Sequence, residues 1–132
     1  MVAAIDDEEA LRVLRLFNEK KGHGWLVNQG VNAIVVERLP ELGISSIANL
    51  LSSIKLAKYF EMNKNDVIFT IFTDSSDLYQ SRLKEMNNAW GSYSQLQAEI
   101  DWNVVLKNKK TDNFLELGYQ EKKRIQNLKY FT

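Results

Sequence analysis

The feature that most constrains this 132-residue chain is one run of seven residues, Val67-Ile68-Phe69-Thr70-Ile71-Phe72-Thr73. Every residue in it is β-branched or aromatic, and five of the seven are apolar. That composition predicts a strand buried on both faces, because a strand with one wet face alternates apolar with polar residues. Such a strand needs neighbours on each side. Only one other stretch reads as a strand, the short run Val2-Ala3-Ala4-Ile5. Doubly wound sheets have about five or six strands, so the two found here are too few. The chain is therefore expected either to belong to something larger or to self-associate.

Helical patterns fill most of the remainder. Asp6 or Asp7 is placed to cap a helix, and Asp7, Glu8 and Glu9 would complement its positive end. Leu11, Leu14 and Phe17 then recur at helical spacing to about Glu19. Lys20-Lys21-Gly22-His23-Gly24 reads as a helix stop, which makes His23 an exposed loop residue. A weaker pattern in Val31, Ile34, Val35 and Leu39 ends at Pro40. Gly43-Ile44-Ser45-Ser46 opens an amphipathic helix through Ile47, Leu50, Leu51 and Ile54 to about Glu61, with a serine as its cap. Lys55 and Lys58 on that helix are expected to reach water along the protein surface.

Asp74-Ser75-Ser76-Asp77 forms a polar turn after the apolar run, and a helix follows to about Ala89. Gly91 breaks the chain before a further helical pattern from Tyr93 to Leu106. Thr111 and Asp112 cap a segment holding Phe114, Leu115 and Leu117, and residues 120–128 read as a basic helix. The expected fold class is α/β: a few-stranded parallel sheet flanked by several helices, in one domain spanning residues 1–132.

Composition narrows the function. Lys plus Arg equals Asp plus Glu at 17 each, so no net field favours nucleic acid or an anionic membrane. The clusters Lys107, Lys109, Lys110 and Lys122, Lys123, Arg124 read as solvated faces. The absence of cysteine removes a disulfide framework, a thiolate nucleophile and any cysteine-based zinc site. No apolar run approaches the roughly 18–20 residues that span a bilayer. Residues 1–10 carry four acids and no base, the reverse of a secretory leader, and a cytoplasmic location is expected. No metal-ligand spacing, nucleophile elbow or phosphate loop is present, and no catalytic residue is assigned.

Three motifs in order carry a resemblance. Val2-Ala3-Ala4-Ile5-Asp6-Asp7-Glu8-Glu9-Ala10, then Gly43-Ile44-Ser45-Ser46, then Asp66 with the apolar run and Asp74-Ser75-Ser76-Asp77-Leu78-Tyr79, together resemble the last third of fold type II pyridoxal-phosphate (PLP) enzymes. Cysteine synthase, cystathionine β-synthase, threonine synthase and diaminopropionate ammonia-lyase belong to this superfamily. The similarity is greatest to a cysteine-synthase-like group of PLP-dependent β-subunits, and it extends into the tail at residues 123–132.

The resemblance implies one cofactor contact. The serine four residues before the tyrosine, Ser75 here, would meet the pyridine nitrogen of PLP. A neutral hydroxyl at that nitrogen tempers the electron sink and suits β-elimination or β-replacement on amino acids. Read from the residues alone, Ser75 is a helix cap at a strand-to-helix turn. Gly43 to Ser46 resembles a loop near the cofactor in the family, with an ordinary N-cap as its plainer reading.

The family's Schiff-base lysine, its asparagine loop and its glycine-rich phosphate loop have no counterpart in these residues. PLP is therefore expected only when a missing N-terminal part completes the fold, and none is expected on the isolated chain. The expected partners are that N-terminal part or further copies of the chain, docked through residues 67–73 and the aromatics Trp25, Trp90, Trp102 and Tyr130. The alternative is a non-catalytic α/β binding or regulatory module that retained the fold fragment.

Overall fold

Helix α1 (Asp7–Asn18) forms where the acidic cap was expected. The Asp6 carboxylate accepts the Glu8 backbone N–H at 2.8 Å, and three acids occupy the first turn. A strand, β1 (Val2–Ala3), precedes it. The computed structural model of the chain describes residues 1–130, so Phe131 and Thr132, the end of the tail quoted above, lie outside the described residues. Five consecutive α1 residues, Val13 to Phe17, are buried. A helix buried nearly all round is an axis on which others pack.

The first departure from expectation follows at once. Residues 20–24 do not stop the helix; only Glu19 turns extended, and the chain re-enters helix as α2 (Lys20–Asn28). Gly22 makes this close return possible, since a Cβ there would lie 2.1 Å from the Leu16 carbonyl oxygen. His23 is accordingly a half-buried helical residue whose Nε2 is 2.6 Å from the Phe17 carbonyl oxygen, and not a loop residue. Close helix–helix contact, which local propensity does not register, overrides the two glycines.

Helix α3 (Ala33–Arg38) is capped by Asn32, and a 3₁₀ turn, Leu39–Glu41, carries Pro40. Helix α4 (Ile44–Tyr59) packs Ile47 and Leu51 against α1. A second 3₁₀ turn, Ser76–Tyr79, leads into α5 (Gln80–Trp90). Gly91, at φ +77°, ends α5. Helix α6 (Gln95–Asp101), capped by Ser94, widens into a π-helical turn, Trp102–Lys107. Strand β2 (Phe114–Leu115), helix α7 (Tyr119–Asn127) with no buried residue, and a 3₁₀ turn, Leu128–Tyr130, complete the described chain. The core draws on α1 to α6, with Leu14, Leu16, Leu26, Val36, Leu51, Met86 and Val105 among its buried side chains.

This is a small α/β domain, mostly helical, with one two-stranded sheet among the described residues. The expected parallel sheet is corrected in both partner and direction. β1 pairs antiparallel with β2, Val2 opposite Leu115 and Ala3 opposite Phe114. Lys55 fastens this pair to α4: its Nζ donates to the Ala4 carbonyl at 2.8 Å and lies 3.5 Å from Asp112. Lys55 is therefore buried, against the expectation of a surface residue.

Residues 67–73 are not a buried strand. They run along the surface with Val67 88%, Phe69 90% and Ile71 62% exposed, and no backbone hydrogen bond joins them to β1 or β2. The Asn49 side-chain amide of α4 donates to the Ile71 carbonyl at 2.8 Å and ties the segment to that helix. A strand buried on both faces requires paired edges and covering layers, and the described residues provide neither.

Candidate functional site

Residues 43–46 and 74–79, about thirty positions apart in sequence, meet at one junction. Asp74 is its centre. The carboxylate accepts the backbone N–H groups of Ser45 (3.0 Å) and Ser46 (2.8 Å), the Ser46 hydroxyl (2.7 Å) and the Tyr79 hydroxyl (2.8 Å). Its own backbone closes the joint: the Asp74 carbonyl accepts the Gly43 N–H at 2.9 Å, and the Asp74 N–H donates to Ser46 Oγ at 3.2 Å.

Asp74 thus performs the capping of α4 that was expected of a local serine. Gly43 is the N-cap position and supplies no side chain. A carboxylate at the positive end of a helix is favourable by charge as well as by hydrogen bonding. Partial burial pushes the Asp74 carboxyl up, but the hydrogen bonds from Ser46, Tyr79 and the two N–H groups outweigh it and hold the group at about 2. The Tyr79 phenol is raised in turn, chiefly by its hydrogen bond to this carboxylate. A Cβ at Gly43 would lie 2.5 Å from the Asp74 carboxyl carbon, so a side chain there would displace the capping carboxylate.

Ser75 sits beside this junction, half-buried, as the cap of the 3₁₀ turn. Its Oγ accepts the Asp77 N–H at 3.3 Å, a weak bond that leaves the hydroxyl proton uncommitted. Ser76 is buried instead, its hydroxyl shared between the Pro40 carbonyl and Asn18. The structure therefore unites two of the three motifs and leaves the serine between them available as a donor.

The described residues do not by themselves fit a whole PLP. The Lys55 ammonium is held by Ala4 and Asp112, and the Lys58 ammonium by the carbonyls of Lys107 and Lys109. Gly22 and Gly24 lie inside α2 and form no phosphate cradle. One hydroxyl is on offer, without a lysine or a phosphate cradle beside it.

A second cluster escaped the sequence reading. Asp101 is buried and accepts Arg12 Nε (2.7 Å), Gln97 Nε2 (2.8 Å) and the Tyr93 hydroxyl (2.8 Å). Burial first, and then the Asp101 charge, push the Tyr93 phenol up. The only local signal was the i, i+4 spacing of Gln97 and Asp101; Arg12 and Tyr93 arrive through tertiary packing. Lys109 is likewise buried and paired with Glu9.

Among the described residues no group of three or more His, Asp or Glu side chains is arranged to hold a metal ion, and no helix is long and apolar enough to cross a membrane. Comparison with protein families, curated proteins and solved structures finds no match to this chain.

Proposed function

We propose that this chain is the C-terminal part of a PLP-dependent lyase or synthase of the cysteine-synthase type, acting on amino acids by β-elimination or β-replacement only when joined to an N-terminal part. Residues 67–73 carry the reading. A β-branched and aromatic segment with Val67, Phe69, Ile71 and Phe72 exposed, and with no backbone hydrogen bond to a neighbouring strand, reads as a strand lacking its sheet. An N-terminal part would provide the neighbouring strands, and with them the lysine and the phosphate loop that this chain lacks. The meeting of residues 43–46 with 74–79 adds support, since both motifs carry the resemblance and both border Ser75.

PLP, when bound by the completed fold, supplies the electron sink for chemistry at the amino-acid carbons. Within this chain, the Ser75 hydroxyl would donate toward the ring nitrogen, and the Asp74 junction would hold the Ser75 backbone in place.

The alternative, a non-catalytic binding or regulatory module, is favoured by the same exposed segment, which can add to the sheet edge of another protein. Reconstitution separates the two readings. The chain is mixed with PLP alone and together with the N-terminal part of a cysteine-synthase-like enzyme. A visible band at about 410–420 nm, typical of the lysine-bound cofactor, is expected only in the combined sample. Its weakening by Ser75→Ala would assign the contact. Co-purification without the band supports the module, and a stable band on the lone chain overturns the incompleteness.

A further inference from the structure

A cavity of about 220 Å³ opens between α1, the end of α5 and α6, lined by Glu8, Arg12, Arg15, Trp90, Gln97 and Asp101. Its buried wall is unbalanced in charge. Arg12 is answered by Asp101. Arg15, only 3% exposed, meets no carboxylate: its Nη2 donates to Asn87 Oδ1 and to the Gly91 carbonyl, both at 2.6 Å. Its guanidinium carbon lies 5.7 Å from the Trp90 ring centroid and 4.9 Å from that of Tyr93, and its Nε is buried without a hydrogen-bond partner.

A guanidinium cannot release its proton to escape this position. The negative end of α5, which Arg15 touches through Gly91, offsets about half a charge. Glu8 lies exposed at the mouth, where water screens it. Two buried or half-buried guanidiniums against one carboxylate and a partial dipole leave an excess of positive charge of roughly half a unit. The excess is too small for a dianion, which Asp101 and Glu8 would also repel, and it suits a monoanion. The cavity has room for a small organic anion, and the Trp90 ring supplies a flat wall.

We propose that this cavity binds a small monoanionic carboxylate, its oxygens on the guanidinium edges of Arg12 and Arg15 and its body against Trp90. The proposal is independent of the PLP reading, because none of these residues belongs to the junction at Asp74.

The test uses the whole chain, titrated with acetate, benzoate and inorganic phosphate at constant ionic strength. Binding is followed by calorimetry and by the Trp90 indole N–H resonance, assigned with Trp90→Phe. Saturable binding of benzoate with a Kd on the order of 1 mM is expected, with acetate weaker. Phosphate should bind about tenfold more weakly than benzoate or worse. Arg12→Gln and Arg15→Lys should each weaken benzoate by about tenfold, the first through lost charge and the second through the lost planar fork. Arg12 is partly exposed, so its variant carries the test if Arg15→Lys fails to fold. The proposal is overturned if neither carboxylate saturates, if phosphate binds as tightly as benzoate, or if Arg12→Gln binds benzoate like the parent chain.

Discussion

The helical core and residues 67–73 sort their side chains in opposite ways. The core takes in Arg15, Lys55, Asp101 and Lys109, all 5% exposed or less, while Val67, Phe69 and Ile71 face solvent. The difference lies in partners. Each buried charge makes at least one hydrogen bond or ion pair at short range, which offsets its loss of water. The apolar segment has no sheet to enter, and burial without paired backbone groups would itself be unfavourable. For these residues, having a partner outweighed being polar or apolar.

The largest effect on the buried charges is expected at Asp101. Asp101→Ala should destabilise the chain by about 3–5 kcal/mol in chemical denaturation, because Arg12 and Tyr93 lose a buried partner. A loss below about 1 kcal/mol would mean that this cluster contributes little. Next comes Gly22→Ala, expected to cost about 3 kcal/mol, since the added Cβ meets the Leu16 backbone and neither helix can yield cheaply. If its denaturation midpoint matched the parent's, the close approach of α1 and α2 would be wrong.

The junction at Asp74 should respond more mildly. Asp74→Ala should cost about 1–2 kcal/mol through the lost cap of α4. Gly43→Ala, which pushes the same carboxylate aside, should add little to it in the double variant. The pH dependence has a definite sign. With a folded value of about 2 against an ordinary 3.8, the carboxylate's contribution is fully present above about pH 4 and is lost as pH falls toward 2. The parent minus Asp74→Asn stability difference should therefore shrink over that interval, and a constant difference would contradict the assignment.

The smallest stability effect belongs to the exposed segment. Phe69→Thr with Ile71→Thr should change unfolding free energy by no more than about 0.5 kcal/mol, since both side chains are already in water. The same pair should reduce self-association measured by light scattering or sedimentation. Unchanged association would move the docking surface elsewhere, while a large loss of stability would show that the segment packs more than its exposure indicates.

Much of the helical content was legible from periodicity and caps. Asp6, Leu11, Leu14 and Phe17 announced α1, and Ile47, Leu51 and Ile54 announced α4. β1 was legible as the start of the run Val2 to Ile5, but its partner was not, because β2 spans two residues and exists through β1, which Lys55 ties to α4. At the candidate site, Ser75 and its capping role were readable from the polar turn, but the carboxylate that joins its loop to α4 was not.

Patterns that act over a few residues were readable from the chain alone: the amphipathic helices, the acidic start of α1, and the β-forming character of residues 67–73. Long-range packing alone makes Gly22 the contact between two helices, sets Asp74 as the cap of a helix begun thirty residues earlier, and buries Lys55 and Arg15. The physical reason is range. Propensity and periodicity are sums over neighbours in sequence, whereas these outcomes turn on atoms distant in sequence coming within hydrogen-bonding or van der Waals reach. Residues 67–73 show the limit from the other side: a strand's character is local, but its burial requires a partner.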